Sequence, residues 1–219
     1  MTPAQDSNYY KIRQIRECII TEGSKHYQAF PWRNPEQKWH GLLAEMLLQR
    51  TRASSVVPIY EKLIKIYPYP EDLAFAPINR LEEILYPLGL KWRSKYVHAF
   101  AVSLLAIGNT PEKLDELTSL PGIGQYAANA FLAFHTDKRA ILIDSNTARF
   151  VCRITGNDYH GEIRRKRWLI EFIDRLTPCK SSKIFNLSFL DFAMVTCSVR
   201  TPSCAKCPLS KLGCKFVSQ

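Results

Sequence analysis

Apolar residues recur at helical spacing along most of this chain. Trp39, Leu42, Leu43, Met46 and Leu47 fall at i, i+3, i+4, i+7 and i+8, which marks one buried face of an amphipathic helix. The same periodicity predicts helices over 56–67, 78–88, 93–107, 111–119, 147–154, 164–176 and 180–197, and an Ala-rich helix beginning near Gln125. Breakers stand between them: Pro31, Pro68-Tyr69-Pro70, Pro87 with Gly89, Gly108-Asn109, Pro121-Gly122, Gly156-Asn157 and Pro178. Alternation of β-branched residues is rare, and no strand of convincing length, repeat or low-complexity tract is visible. The expected fold is all-α, a compact set of about ten short helices. No linker divides the chain, so any lobes share a tight connection.

Composition narrows the class. At 46% hydrophobic and 23% charged, the sequence is neither disordered nor fibrous. The longest nearly apolar stretch, 97–107, is interrupted by His98 and Ser103 and is too short for a bilayer, so no membrane partner is expected. The N-terminus lacks a charged region followed by an apolar one, so no export signal is expected. The 30 Lys and Arg outnumber the 20 Asp and Glu, giving +10 over 219 residues. That excess suggests a polyanion, with nucleic acid first in line and mere solubility as the alternative. Seven cysteines, an odd number, argue against a disulfide framework. Cys18, Cys152 and Cys179 are scattered and are expected in the core.

Three motifs carry chemistry. In Leu120-Pro121-Gly122-Ile123-Gly124-Gln125-Tyr126, two glycines sit between a helix ending near Ser119 and one starting near Gln125. Glycine permits positive φ and close approach to the main chain. The unpaired N–H groups opening the next helix suit a phosphate. Such a hairpin grips a nucleic-acid backbone without reading bases; the alternative is a plain turn. Next, Ile141-Leu142-Ile143 delivers Asp144 to the start of a helix. The helix from 125 runs out roughly 15 Å, and 140–144, if extended, climbs back roughly 16 Å, returning Asp144 to the level of Tyr126. A carboxylate there could stabilise developing positive charge and orient a water; the alternative is a simple helix cap. Last, Cys197-x6-Cys204-x2-Cys207-x6-Cys214 reads as a metal centre. Its single short pair with long arms fits a four-cysteine iron–sulfur cluster better than a zinc ribbon.

These features, in this order, resemble the endonuclease III superfamily of helix-hairpin-helix (HhH-GPD) base-excision DNA glycosylases across nearly the whole chain. Phe30-Pro31-Trp32-Arg33 is similar to the opening segment of its adenine and thymine mismatch branches, and Glu45-Met46-Leu47-Leu48-Gln49-Arg50-Thr51-Arg52 to its second characteristic segment. Asp144-x-Asn146-x-x-Arg149 is similar to its catalytic aspartate segment, and the cysteines to its [4Fe-4S] loop. The departure is the last cysteine spacing, six residues here against the family's usual five. The resemblance implies a two-lobed fold: a six-helix barrel lobe over 35–142, and a lobe of 1–34 with 143–219 carrying the cluster at 197–214. It implies a monomer that flips a mismatched or damaged nucleotide out of double-stranded DNA, in the cytoplasm on nucleoid DNA or otherwise inside the cell.

The resemblance also assigns roles. Bifunctional members carry Lys where this chain has Tyr126, adenine glycosylases typically Ser, and T:G thymine glycosylases Tyr. Tyr126 therefore implies a monofunctional enzyme and a pocket-lining phenol, with ordinary helix packing as the alternative. Glu45 becomes the general acid or water holder, unless it is a solvated surface residue. Gln49 and Arg50 become the wedge that fills the gap left by the flipped base. Leu88-Gly89-Leu90 becomes a second intercalating loop, or a helix C-cap with left-handed Gly89, or both. Gly122, Ile123, Gly124 and Gln125 hold DNA phosphate, and Asp144 is catalytic. The expected activity is removal of thymine or uracil paired with guanine. An adenine glycosylase acting on A:G or A:8-oxoguanine is the alternative; it usually carries a further C-terminal domain, and this sequence ends five residues after Cys214. The second alternative is a non-catalytic hairpin module for DNA binding. Arg164-Arg165-Lys166-Arg167, the densest basic run, is expected on a solvated helix face.

Overall fold

The computed structural model describes the backbone of residues 3–218 and the side chains of 11–216. Every regular element among them is helical: α1 (Pro3–Ser24), α2 (Lys38–Leu47), α3 (Ala53–Ile66), α4 (Pro70–Ala74), α5 (Ile78–Leu85), α6 (Arg93–Ile107), α7 (Leu114–Ser119), α8 (Gln125–His135), α9 (Ser145–Thr155), α10 (Arg167–Leu176) and α11 (Ser182–Val195). Short 3-10 turns occupy several of the connections. None of the described helices is long and apolar enough to cross a membrane.

Two helices escaped the hydrophobic pattern. Among the described side chains of α1 the buried apolar stripe is Ile12, Ile15 and Ile19, diluted by charged neighbours. In α4, Pro70 starts a helix after Pro68 has helped end the previous one. Proline suits a first helical position because its missing N–H would find no partner there, and the Asp72 carboxylate accepts from the Tyr69 N–H at 3.1 Å. The basic run is also not one helix face. Ile163 is buried in a 3-10 turn, Lys166 is extended, and α10 begins only at Arg167. Two of its charges pair locally, Arg165 with Glu162 at 2.9 Å and Arg167 with Glu171 at 2.7 Å.

The chain divides into two compact units, residues 29–136 and residues 1–28 with 137–219. In the first, α2 is buried on nearly all sides and meets α8, whose Ala127, Ala128 and Ala130 let the backbones approach. A Cβ on Gly41 would lie 2.6 Å from the His135 ring, so only glycine fits under that imidazole. In the second unit, aromatic edges build the core: Phe150 meets Phe189 at 5.0 Å and Phe192 at 5.7 Å between ring centres. Here α1 lies so close to α11 that a Cβ on Gly23 would stand 2.0 Å from the Ser188 carbonyl oxygen. Backbone cannot swing aside as a flexible side chain can. Gly23→Ala is therefore expected to cost about 3 kcal/mol, a fall of roughly 6–12 °C in Tm by thermal denaturation. An unchanged Tm would mean that the two helices separate without penalty.

Candidate functional site

The hairpin of the first unit is anchored from below. Leu117, Leu120 and Ile123 are buried, which fixes the turn between α7 and α8. Gly122 has φ +78°, and an added Cβ would lie 2.7 Å from Met46 Cε and 3.2 Å from Tyr96 Cβ. Its glycine is required by conformation, and an added Cβ would also have to displace the flexible tip of Met46. Gly124 differs: an added Cβ would meet nothing within 4 Å, and no side chain caps the helix it precedes. The start of α8 thus lacks a side-chain cap and is open at the Cβ position of Gly124, which leaves room for an anion to approach. Gln125 is exposed, as is Tyr126 at 43%.

Two further segments lie in the same unit. Gln49, expected as part of a wedge, donates from Nε2 to the Gly122 carbonyl at 2.9 Å, so it braces the hairpin. Arg50 is exposed and holds φ +55°. In 88–90, Leu88 is buried, which removes it from any apolar tip. Gly89 has φ +69° and ψ −166°, a positive-φ turn but not the left-handed helical cap. Leu90 is half-buried with φ +56°. Beside them Tyr86 is 78% exposed, a residue the sequence did not single out. Glu45 is not a solvated surface residue. It is 4% exposed, and His135 Nε2 lies 3.9 Å from its carboxylate. The rest of α2 around it, from Trp39 to Leu47, is buried as well.

In the second unit Asp144 caps α9. Its Oδ1 accepts from the backbone N–H of Asn146 at 2.9 Å and of Thr147 at 2.7 Å. The Thr147 hydroxyl accepts in return from the Asp144 N–H at 2.9 Å, closing a capping box. The cap occupies one carboxylate oxygen. The other, Oδ2, accepts from Asn146 Nδ2 at 2.7 Å. All three partners are donors, the arrangement a carboxylate satisfies. Both carboxylate oxygens are thus hydrogen-bonded at the start of α9.

The chain of contacts continues from Asp144 to the cysteines. Arg149, buried, donates to Asn146 Oδ1 at 3.2 Å, to the Ala193 carbonyl at 2.7 Å and to the Cys197 carbonyl at 3.1 Å. Burial lowers its pKa, while nearby Cys197 and Asp144 push the other way. Arg153, one helical turn on, donates to the carbonyls of Cys197 and Ser198 at 3.0 and 2.7 Å and lies 3.4 Å from Cys197 Sγ. Its guanidinium sits over the Phe216 ring at 4.4 Å. The sequence pointed to Arg149 only through the motif and did not single out Arg153; their i, i+4 spacing on α9 was the available signal.

Cys197, Cys204, Cys207 and Cys214 are all half-buried and line one cavity with Phe150, Phe192 and Leu209. Burial pushes the Cys207 thiol up, and the other three thiols add to that rise. Among the described residues, no group of three or more His, Cys, Asp or Glu side chains is set to hold a single metal ion. What the four thiols share is a cavity, and four sulfurs around a cavity suit a group with several metal atoms. Of the remaining cysteines, Cys152 is buried and Cys18 half-buried, but Cys179 is exposed and does not belong to the core.

Comparison with known proteins gives a consistent pattern. The family model described as "HhH-GPD superfamily base excision DNA repair protein" matches residues 43–171. A thymine/uracil-DNA glycosylase of Pyrobaculum aerophilum is 34% identical over 216 residues, covering 93% of this chain and 91% of that one. A thymine-DNA glycosylase of Aeropyrum pernix is 33% identical over 208 residues, covering 91% of each. Among solved structures, a thermostable thymine-DNA glycosylase superposes with a TM-score of 0.87 at 27% identity, covering 97% of this chain and all of that one.

Proposed function

The chain belongs to the HhH-GPD superfamily of base excision DNA repair proteins, and on that premise we propose that it hydrolyses the N-glycosidic bond of thymine or uracil mispaired with guanine in DNA. The observation that carries this reading is the likeness, along nearly the full length of both chains, to thymine/uracil-DNA glycosylases. The hairpin geometry supports it independently. Uncapped amides at the start of α8, with open space over Gly124, hold a DNA phosphate, and the +10 charge brings the polyanion to them.

The reacting bond joins the sugar C1′ to N1 of the base. As it lengthens, positive charge develops on the sugar, and the Asp144 carboxylate stabilises it. Water supplies the oxygen that bonds C1′, and the proton it releases replaces the one Glu45 gives up. Glu45, shielded from bulk water, gives the departing base its proton. Tyr126 lines the pocket for the flipped base. A phenol offers no amine for a Schiff base, so the product is an intact strand with an abasic site.

Cys197, Cys204, Cys207 and Cys214 hold a [4Fe-4S] cluster in this reading, supported by their common cavity. When bound, the cluster supplies metal–thiolate bonds that tie down the 197–214 segment.

The test is a panel of duplexes carrying T:G, U:G, A:G and A:8-oxoguanine pairs, scored for free base. Thymine and uracil are expected to be released opposite guanine, with strand breaks only after alkali. Release of adenine alone would place the chain with the adenine branch. Release of no base, with binding retained, would make it a hairpin module that binds DNA without cutting.

A further inference from the structure

One of the most deeply buried charges among the described residues is not in any motif. Arg93, at the first position of α6, is 1% exposed. Its described partners include no carboxylate. Nη2 donates to the Gln49 carbonyl at 2.8 Å and to Thr51 Oγ1 at 2.9 Å, and Nη1 donates to the Leu88 carbonyl at 3.4 Å. The Arg93 backbone N–H donates to the Leu90 carbonyl at 2.8 Å. The buried Nε has no partner. One guanidinium thus spans two chain segments some forty residues apart in sequence, 49–51 and 88–90.

Those two segments hold the positive-φ residues of the region: Arg50 at +55°, Gly89 at +69° and Leu90 at +56°. A non-glycine residue there costs of order 1–3 kcal/mol and persists only where its surroundings hold it. Gln49 extends the same connection to the hairpin through the Gly122 carbonyl. A buried, unpaired cation is expensive to keep, and burial alone accounts for the lowered pKa of this one. A hydrophobic side chain would fill the same space without that cost. What arginine adds is a planar fork that reaches several acceptors at fixed angles.

We propose that Arg93 is a positioning residue for DNA engagement, whose guanidinium locks 49–51 and 88–90 into one preformed wedge beside the hairpin. The inference rests on the reading of these segments as DNA-facing. Preorganisation matters because a wedge already in shape enters the base stack without first paying to order two loops. Arg93 itself touches no DNA, and its effect passes through Arg50, Gly89 and Leu90.

The experiment uses the full-length protein, a duplex with 2-aminopurine beside a T:G pair, and an unmodified duplex. Stopped-flow fluorescence reports unstacking before base release, and anisotropy reports affinity for the unmodified DNA. Arg93→Met is expected to slow unstacking by about tenfold or more, a loss in line with removing hydrogen bonds to a charged group. Arg93→Lys recovers part of the loss, because a point charge reaches one acceptor but lacks the fork. Thr51→Val removes one acceptor of Arg93, together with the Thr51 hydroxyl's own bond to the Gln49 carbonyl at 3.1 Å, and loses roughly threefold; it decides the matter if Arg93→Met does not fold. Affinity for the unmodified duplex stays within about twofold, because the hairpin and the surface charge that supply non-specific binding are intact. Wild-type unstacking in folded Arg93→Met and Thr51→Val would overturn the proposal, as would an equal loss on both duplexes. A wild-type protein that does not unstack the T:G duplex would instead remove the DNA-facing reading, and the proposal with it.

Discussion

Asp144→Asn is expected to lower the single-turnover rate of base release by about 10³-fold while leaving the protein folded and bound to DNA. Asparagine caps helices as well as aspartate does, so α9 keeps its start. The substitution has a local cost. If the new Oδ1 still accepts from the N–H groups of Asn146 and Thr147, an amide NH2 replaces Oδ2 and faces the NH2 of Asn146. Turning Asn146 over removes that clash but points its NH2 at the Arg149 guanidinium, which in the wild-type protein donates to Asn146 Oδ1. One link is lost either way, at about 1–3 kcal/mol. A 10³-fold rate loss corresponds to about 4 kcal/mol. The rate effect thus exceeds the whole structural cost, and that excess separates lost transition-state stabilisation from a loosened helix cap. Removing a negative charge also relieves repulsion of the phosphates, so affinity for a T:G duplex stays level or tightens. Turnover within about tenfold of wild type would remove Asp144 from the chemistry.

The reach of sequence reasoning differed by kind of feature. Helix α6 was legible to the residue, because Arg93 follows a Gly89 turn and Gly108 ends the apolar run. The α1 helix was not, since its stripe shows only once the helix is docked on Ser188 and its neighbours. The motif residues could be named, but their neighbours could not. Glu45 could be placed on α2; its burial beside His135 depends on how α8 lies against that helix. Gln49 and Leu88 show the limit from the other side. Resemblance assigns both to DNA contact, whereas the structure turns one toward the hairpin and buries the other. Arg93 was illegible because its partners are mostly backbone carbonyls, which every sequence has in equal measure.

The second large effect concerns the cysteines. Cys207→Ser is expected to abolish the brown visible absorbance, to open 197–214 to protease, and to lower stability by about 5 kcal/mol. The reason lies in how little else holds that segment. It is made of short 3-10 turns, and Leu209 is its fully buried apolar side chain. Burying one leucine contributes about 2–3 kcal/mol, whereas fixing some eighteen residues of backbone costs on the order of 20 kcal/mol. The hydrogen bonds from Arg149 and Arg153 to the carbonyls of Cys197, Ser198 and Val199 fasten only its first turn. In the proposed reading, metal–thiolate bonds would be the large term that closes the gap. Cys179→Ser is the contrasting variant: exposed and away from the cavity, it should keep colour, protease resistance and Tm. A colourless wild-type protein containing zinc would replace the iron–sulfur assignment but keep the argument, since the tie is still four thiolates. A Cys207→Ser protein as stable and protease-resistant as wild type would overturn the argument itself, because the turns would then hold without metal.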